Sequence, residues 1–274
     1  MNGTMSDREM ILSSCKSLKL GGIRSAIESV ITQASQENWS YDKLVATLLE
    51  KESEHREELR RKAQIRRAGF PQLLYLENLK RNELPKDMAV ALPELETLEF
   101  IKEGQNVIMY GNPGTGKTHC AIGLGIKACL AGYTVLYTSI PHLLTEIREC
   151  ESQRRLGRLQ SKFKKYDLVI GDEFGYKSFD KAAAEALFNH ISLRAGIKSM
   201  IITTNLGFDH WNEIFTDKII ASAIVDRLTF KSYIIDMNGI SFRLKATKEW
   251  MDERKRKQNK EKNNTTPEKE SQAS

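Results

Sequence analysis

The chain has no uninterrupted apolar run of 18 residues, so it holds no segment that reads as a membrane-spanning helix. Only four cysteines occur in 274 residues, Cys15, Cys120, Cys129 and Cys150. They show neither C-x-x-C spacing nor a histidine cluster, which disfavours a zinc site and a disulfide framework and leaves reduced thiols and a cytoplasmic setting as the expectation. The first residues are polar and charged and do not read as a secretion signal. Low charge is not among the absences: the formal net charge is +6, which permits nucleic-acid binding without requiring it.

The chain is organised around Gly111-Asn112-Pro113-Gly114-Thr115-Gly116-Lys117-Thr118. This is the Gly-x-x-x-x-Gly-Lys-Thr phosphate loop, followed here by His119. An apolar strand precedes it at 106–110, and a mostly apolar helix follows, ending near Gly132. That context turns a short motif into a specific one. Glycines let successive backbone N–H groups converge on phosphate oxygens, and the helix N-terminus adds partial positive charge. Lys117 is expected to reach the β- and γ-phosphates, and the Thr118 hydroxyl to bind Mg²⁺.

Residues 1–67 read as an all-helical N-terminal domain that meets a partner or DNA. Ile11, Cys15 and Leu18 form one short stripe, and Ile23, Ile27, Val30 and Ile31 form a second after a Gly21-Gly22 break. Ser40 suits the cap of a third helix that runs from acidic to basic, as the helix dipole prefers. Residues 68–100 read as a proline-broken connector without visible site chemistry. From 101 to 250, strands expected at 106–110, 134–138, 168–172, 200–204 and 233–237 alternate with helices. Short, apolar and largely β-branched, they predict an α/β, doubly wound, parallel five-stranded sheet with its ligand at the strand C-terminal ends. Residues 251–274 are basic and nearly free of apolar side chains, and read as a disordered tail.

The strand 168–172 ends in Asp172-Glu173, 54 residues after Thr118. Asp172 is placed to hold the Mg²⁺ shell, and Glu173 to orient or deprotonate the attacking water. The next strand ends in Asn205, which would lie between the two phosphate-facing strands. Arg227 sits beside Asp226 in a helical segment, and from the residues alone a surface ion pair explains it as well as a catalytic role does. Between the second and third strands lie Arg148, Arg154, Arg155, Arg158, Lys162, Lys164 and Lys165. Drawn on one helix, 154, 155, 158, 162 and 165 share a face, which reads either as a solvated surface or as a basic stripe for a phosphate backbone. Aromatics do not interleave with these charges, which favours duplex over single-stranded DNA.

Together with Trp211, four runs fall in a familiar order: Gly171-Asp172-Glu173-Phe174-Gly175-Tyr176, Ile201-Ile202-Thr203-Thr204-Asn205-Leu206, Val225-Asp226-Arg227-Leu228 and Gly239-Ile240-Ser241-Phe242-Arg243-Leu244. Over residues 10–247 the chain resembles the IstB-type ATP-binding helper proteins of bacterial insertion sequences, AAA+ ATPases similar to the DnaC helicase loaders. The resemblance implies an AAA+ P-loop fold, ATP and Mg²⁺ as cofactors, and ATP-dependent oligomers that assemble on duplex DNA, deform it and engage a transposase. It assigns Asn205 as a sensor and Arg227 as an arginine finger offered to the neighbouring subunit's ATP. It also implies an extra helix at the basic segment that touches the DNA backbone. Too few residues follow the last strand for a full helical lid, which leaves Arg243 without a role, and Lys177-Ser178-Phe179 departs from the family's aliphatic-proline pattern. Three other readings are kept open: a replicative helicase loader, a P-loop kinase of a small molecule, and a nucleotide switch with negligible turnover.

Overall fold

The computed structural model describes residues 6–176 and 178–264. The chain divides into two compact units, residues 1–67 and 68–274.

The first unit is helical, with α1 (Asp7–Ser17), α2 (Gly21–Gln36) and α3 (Tyr41–Ala68). A capping box between Ser6 and Glu9 opens α1. Lys19 at φ 56° closes it, with Leu20 N–H donating to the Cys15 carbonyl. The glycine pair does more than interrupt a pattern. Gly22 lies so close to α3 that a Cβ there would stand 2.4 Å from the Lys51 carbonyl oxygen. The buried Glu52 carboxylate accepts from the N–H groups of Gly22 and Ile23 at 2.8 and 3.2 Å, capping α2 from the neighbouring helix. Arg56 donates to the same carboxylate at 2.7 Å, so the buried charge is compensated.

The second unit begins with two 3-10 turns, then α4 (Lys86–Leu95) and α5 (Glu99–Lys102). The alternating part follows: β1 (Asn106–Tyr110), α6 (Lys117–Leu130), β2 (Val135–Ser139), α7 (Ile140–Ser152), α8 (Leu156–Lys165), β3 (Leu168–Phe174) and α9 (Lys181–Ser192). It continues through β4 (Ser199–Thr204), α10 (Trp211–Ile214), α11 (Lys218–Thr229), β5 (Ser232–Asp236) and α12 (Phe242–Asn264). All pairings are parallel, in the order β2-β3-β4-β1-β5. The five strands fall within two residues of the expected bounds at each end, because buried β-branched runs bounded by polar residues are a strong local signal. The sheet order places β4 between β1 and β3. Asn205, just past β4, therefore lies between the phosphate loop after β1 and the carboxylates at the end of β3.

The sheet interior and its covering helices are apolar: Val107, Ile108, Ile122, Leu168, Val169, Ile170, Leu187, Ile201, Ile202 and Ile224 are fully buried. Arg194, also fully buried, donates to the carbonyl oxygens of Phe163, Tyr166, Asp167 and Ser199. Burial pushes its guanidinium down to about 10. Five donors in a rigid fork let one side chain serve four backbone carbonyls, fastening the end of α8 to the entry of β3 and β4. At the opposite end of the sheet Phe174 stacks on Trp211 with centroids 4.5 Å apart, and Phe179 and Phe215 complete the cluster.

Two expectations need correction here. Residues 251–264 continue α12 rather than forming a disordered tail. Helix formers dominate the stretch, and acids precede bases by four residues at Asp252 and Arg256 and at Glu253 and Lys257. Residues 265–274 lie outside the described residues. The basic stripe 154–165 is also not one helix. Arg154 has φ 55°, and the N–H groups of Arg154 and Arg155 donate to the carbonyls of Glu151 and Cys150, a left-handed closure of α7. Helix α8 begins only at Leu156. Arg158, Lys162 and Lys165 share its exposed face while Leu159 and Phe163 point into the core.

Candidate nucleotide site

The phosphate loop joins the tip of β1 to the first turn of α6. Gly114 at φ 82° and Gly116 at φ 94° adopt backbone conformations that other residues resist, which turns the chain directly into the helix N-terminus. Lys117 is buried and folds back on its own loop, donating to the carbonyls of Gly111 and Asn112 at 2.7 Å each. Burial pushes its ammonium down to about 8, the nearby Arg243 lowers it further, and Asp172 works in the opposite direction. Thr115 closes the loop from inside, donating to the Asn112 carbonyl at 2.9 Å. Asn238 after β5 accepts from the Asn112 N–H at 2.9 Å, and Phe242 N–H donates to the Gly114 carbonyl at 2.8 Å. The start of α12 thus braces the phosphate loop, a role with no local sequence signature.

Asp172 is the buried centre of the site. Thr118 donates its hydroxyl to Asp172 at 3.1 and 3.2 Å from the two carboxylate oxygens, and Tyr137 from β2 donates to Oδ2 at 2.6 Å. Thr203 from β4 donates to Oδ1. Burial raises the Tyr137 hydroxyl well above the usual range, with the Asp172 carboxylate adding to the shift, so the phenol is a standing donor. Neither Tyr137 nor Thr203 was legible as a site residue; only the parallel register brings them to Asp172. Glu173 is exposed, and its backbone sits at φ 61°, left-handed for a non-glycine residue. The β3–β4 register shifts between Gly171 and Phe174, and the Glu173 N–H donates to the Thr203 hydroxyl at 3.2 Å. A bulge at a strand end re-aims a side chain, and here it turns Glu173 away from the sheet that buries Asp172.

Most of the phosphate loop and the Asp172–Glu173 pair line one cavity of about 1010 Å³, while Gly111, Asn112, Thr115 and Tyr137 stand behind its wall. Pro113, Gly114, Gly116, Lys117, Thr118, His119, Asp172, Glu173 and Asn205 all contribute to its wall. The connector reading is corrected here, because Gln72, Leu74, Asn78, Lys80 and Glu83 line the same cavity. His119 fixes that wall through an Nε2 contact of 2.9 Å to the Tyr75 carbonyl. Arg243, Lys245 and Glu249 of α12 line the far side, and Lys245 donates to Glu83 at 2.7 Å across the opening. Arg243, left without a role by the sequence, therefore sits at the site. Arg227 lies elsewhere, on α11, with its guanidinium 4.3 Å from the centre of the Phe188 ring and a hydrogen bond to the Ala223 carbonyl.

The donor set suits Mg²⁺. A hydroxyl and a carboxylate are hard oxygen ligands, Thr118 and Asp172 are already within 3.2 Å, and Mg²⁺ takes few protein ligands when phosphates and water supply the rest. Among the described residues no cluster of three metal-ligating side chains competes for that role. Likewise, among the described residues, no helix is long and apolar enough to cross a membrane.

A parallel sheet ordered β2-β3-β4-β1-β5, a phosphate loop after β1 and adjacent carboxylates near the end of β3 make up an AAA+ P-loop fold. Comparison with known proteins takes this further. The model of the IstB-like ATP binding protein family matches residues 13–250, and the chain belongs to that family. It is an ATP-binding protein. A Pseudomonas aeruginosa relative named for ATP binding in insertion sequence IS21 is 32% identical over 241 residues, 88% of this chain and 90% of its own length. A Geobacillus stearothermophilus relative from insertion sequence IS5376 is 30% identical, over 87% of this chain and 95% of its own. Two solved structures share the fold at low identity. DnaA of Aquifex aeolicus has a TM-score of 0.51 at 20% identity, covering 66% of this chain and 55% of its own. DnaI has a TM-score of 0.50 at 18% identity, covering 61% and 89%.

The low-lying Lys117 ammonium makes ATP affinity pH-dependent with a definite sign. Phosphate favours the charged amine, so binding takes up a proton above pH 8, and affinity falls as pH rises through that value. Titration calorimetry should give ATP binding about tenfold weaker at pH 9 than at pH 7. A flat profile over this range would contradict a depressed Lys117 ammonium that takes up a proton on binding.

Proposed function

We propose that the chain is the ATP-hydrolysing helper of an insertion-sequence transposase, assembling on duplex DNA with catalytic sites shared between subunits. The observation that carries hydrolysis is the pairing of a buried, triply hydrogen-bonded Asp172 with an exposed, bulge-turned Glu173 in one cavity with Lys117 and Asn205. Transfer to a small-molecule acceptor needs no such water-facing carboxylate beside the metal-shell aspartate.

In this reading the loop N–H groups and Lys117 bind the β- and γ-phosphates, and Thr118 and Asp172 hold Mg²⁺. When bound, Mg²⁺ draws charge from the phosphate oxygens. Glu173 takes a proton from water as the water oxygen attacks the γ-phosphorus. The bond to the bridging oxygen breaks, and ADP leaves with inorganic phosphate. Asn205 orients the water or a γ-oxygen from between β1 and β3. Arg227, half-exposed on a separate helix, supplies positive charge to the γ-phosphate of the adjacent subunit, a head-to-tail contact that builds rings or filaments.

The exposed face of α8 meets the DNA backbone through Arg158, Lys162 and Lys165, and Arg154 and Arg155 extend it from the preceding turn. Such contacts read no sequence. Kinship to insertion-sequence proteins along nearly the whole chain supports a transposase as partner over the helicase of a loader. A switch with negligible turnover is disfavoured by the complete Lys117, Thr118, Asp172 and Glu173 set.

Two experiments test separate parts of this reading. Arg227→Ala and Lys117→Ala should each be inactive alone, while an equimolar mixture should regain about a quarter of wild-type turnover, the fraction of random neighbour pairs with both groups intact. A mixture that stays silent contradicts a shared site. Reversing Arg158, Lys162 and Lys165 to glutamate should lower duplex affinity and reduce the salt dependence of binding by about 2–3 in slope, with ATP binding unchanged. If DNA binding is undiminished, α8 is not the contact surface.

A further inference from the structure

The Asp172 carboxylate is met by three hydroxyls from three different elements, of which only Thr118 belongs to the phosphate loop. Tyr137 is the outlier. It comes from β2, the strand farthest from β1 on that side of the sheet, and pairs in register with Ile170 rather than with Asp172. Its hydroxyl therefore reaches two residues along β3 to contact Oδ2 at 2.6 Å. The ring also meets that of Phe70 in the connector, with centroids 6.1 Å apart, and is half-buried. A phenol packed on a neighbouring ring and bonded to one carboxylate oxygen is a directional device.

We infer that Tyr137 is a positioning residue for the Mg²⁺ of the nucleotide site, holding Asp172 in the one rotation that leaves an oxygen directed at the metal shell. This role rests on ATP and Mg²⁺ occupying the site as proposed above. A carboxylate at a strand tip can turn about its terminal bond, and Thr118 alone cannot stop this, because its hydroxyl oxygen lies almost equally far from both carboxylate oxygens, at 3.1 and 3.2 Å, and has one proton to give. Tyr137 on Oδ2 and Thr203 on Oδ1 define the plane from opposite sides. Thr203 also accepts from the Glu173 N–H, so the same plane is tied to the backbone that carries the water-facing carboxylate. Tyr137 touches neither phosphate nor water in this account; it acts through Asp172. Partners that orient a metal-shell group commonly change metal affinity by 10–100-fold when removed.

The test is Tyr137→Phe, which keeps the ring and its packing on Phe70 and removes only the hydroxyl. Binding of a fluorescent ATP analogue is followed in EDTA and across a Mg²⁺ titration, with the unfolding temperature recorded for each protein. The expected result is unchanged binding in EDTA, an unfolding temperature close to wild type, and a Mg²⁺ midpoint raised about tenfold. In the Asp172→Asn background, Tyr137→Phe should add no further shift. A Mg²⁺ midpoint equal to wild type overturns the inference. So does an equal loss of binding with and without Mg²⁺, which would make the hydroxyl a general pocket contact. If the wild-type protein itself binds the analogue with no Mg²⁺ enhancement, the Mg²⁺ reading fails first and this inference falls with it, a result distinguishable from failure of Tyr137 alone.

Discussion

Everything at the site depends on keeping one carboxylate, Asp172, hydrogen-bonded and oriented inside the sheet. A buried carboxylate is tolerated only when donors surround it. Here those donors come from the phosphate loop, from β2 and from β4, so the carboxylate works as a junction between three parts of the chain. Displacing β2 or β4 removes one of those donors from Asp172. The parallel order β2-β3-β4-β1-β5 is thus more than a scaffold, because no neighbour of β3 can be shifted without breaking that junction.

The step from Asp172 to Glu173 illustrates how a fold separates two like groups. One carboxylate is buried and hydrogen-bonded; the next is exposed through a bulge and a left-handed residue. The left-handed conformation at a non-glycine residue costs about 1–3 kcal/mol and persists where surrounding structure fixes it. The Phe174–Trp211 stack and the Glu173 N–H bond to Thr203 supply that fixation. Different environments for adjacent carboxylates are what a division into metal holder and base requires.

Much of this was legible in the residues and some was not, for physical reasons. The strands and the phosphate loop have strong local signals, since burial on both faces demands apolar β-branched runs and phosphate binding demands glycines beside a lysine. Asp172, Glu173 and Asn205 follow once the strand ends are known. Tyr137 and Thr203 do not, because their roles arise from register between strands. The connector and Arg243 were missed for a similar reason: both reach the cavity only after the chain has folded back across α6 and the loop. The basic segment was misread because a helical wheel assumes unbroken helix, whereas Arg154 takes the left-handed turn usually given to glycine. The helix at 251–264 was missed because low hydrophobicity was weighed above the i,i+4 placement of its charges.

In the proposed reaction Glu173 performs the proton transfer in a site whose binding groups are independent of it. The most direct measurement is paired ATP binding and steady-state turnover of Glu173→Gln with duplex DNA present. The expected result is wild-type nucleotide affinity with turnover reduced at least about 100-fold. Turnover at the wild-type rate would contradict it, and would mean that the exposed carboxylate beside Asp172 is not the base.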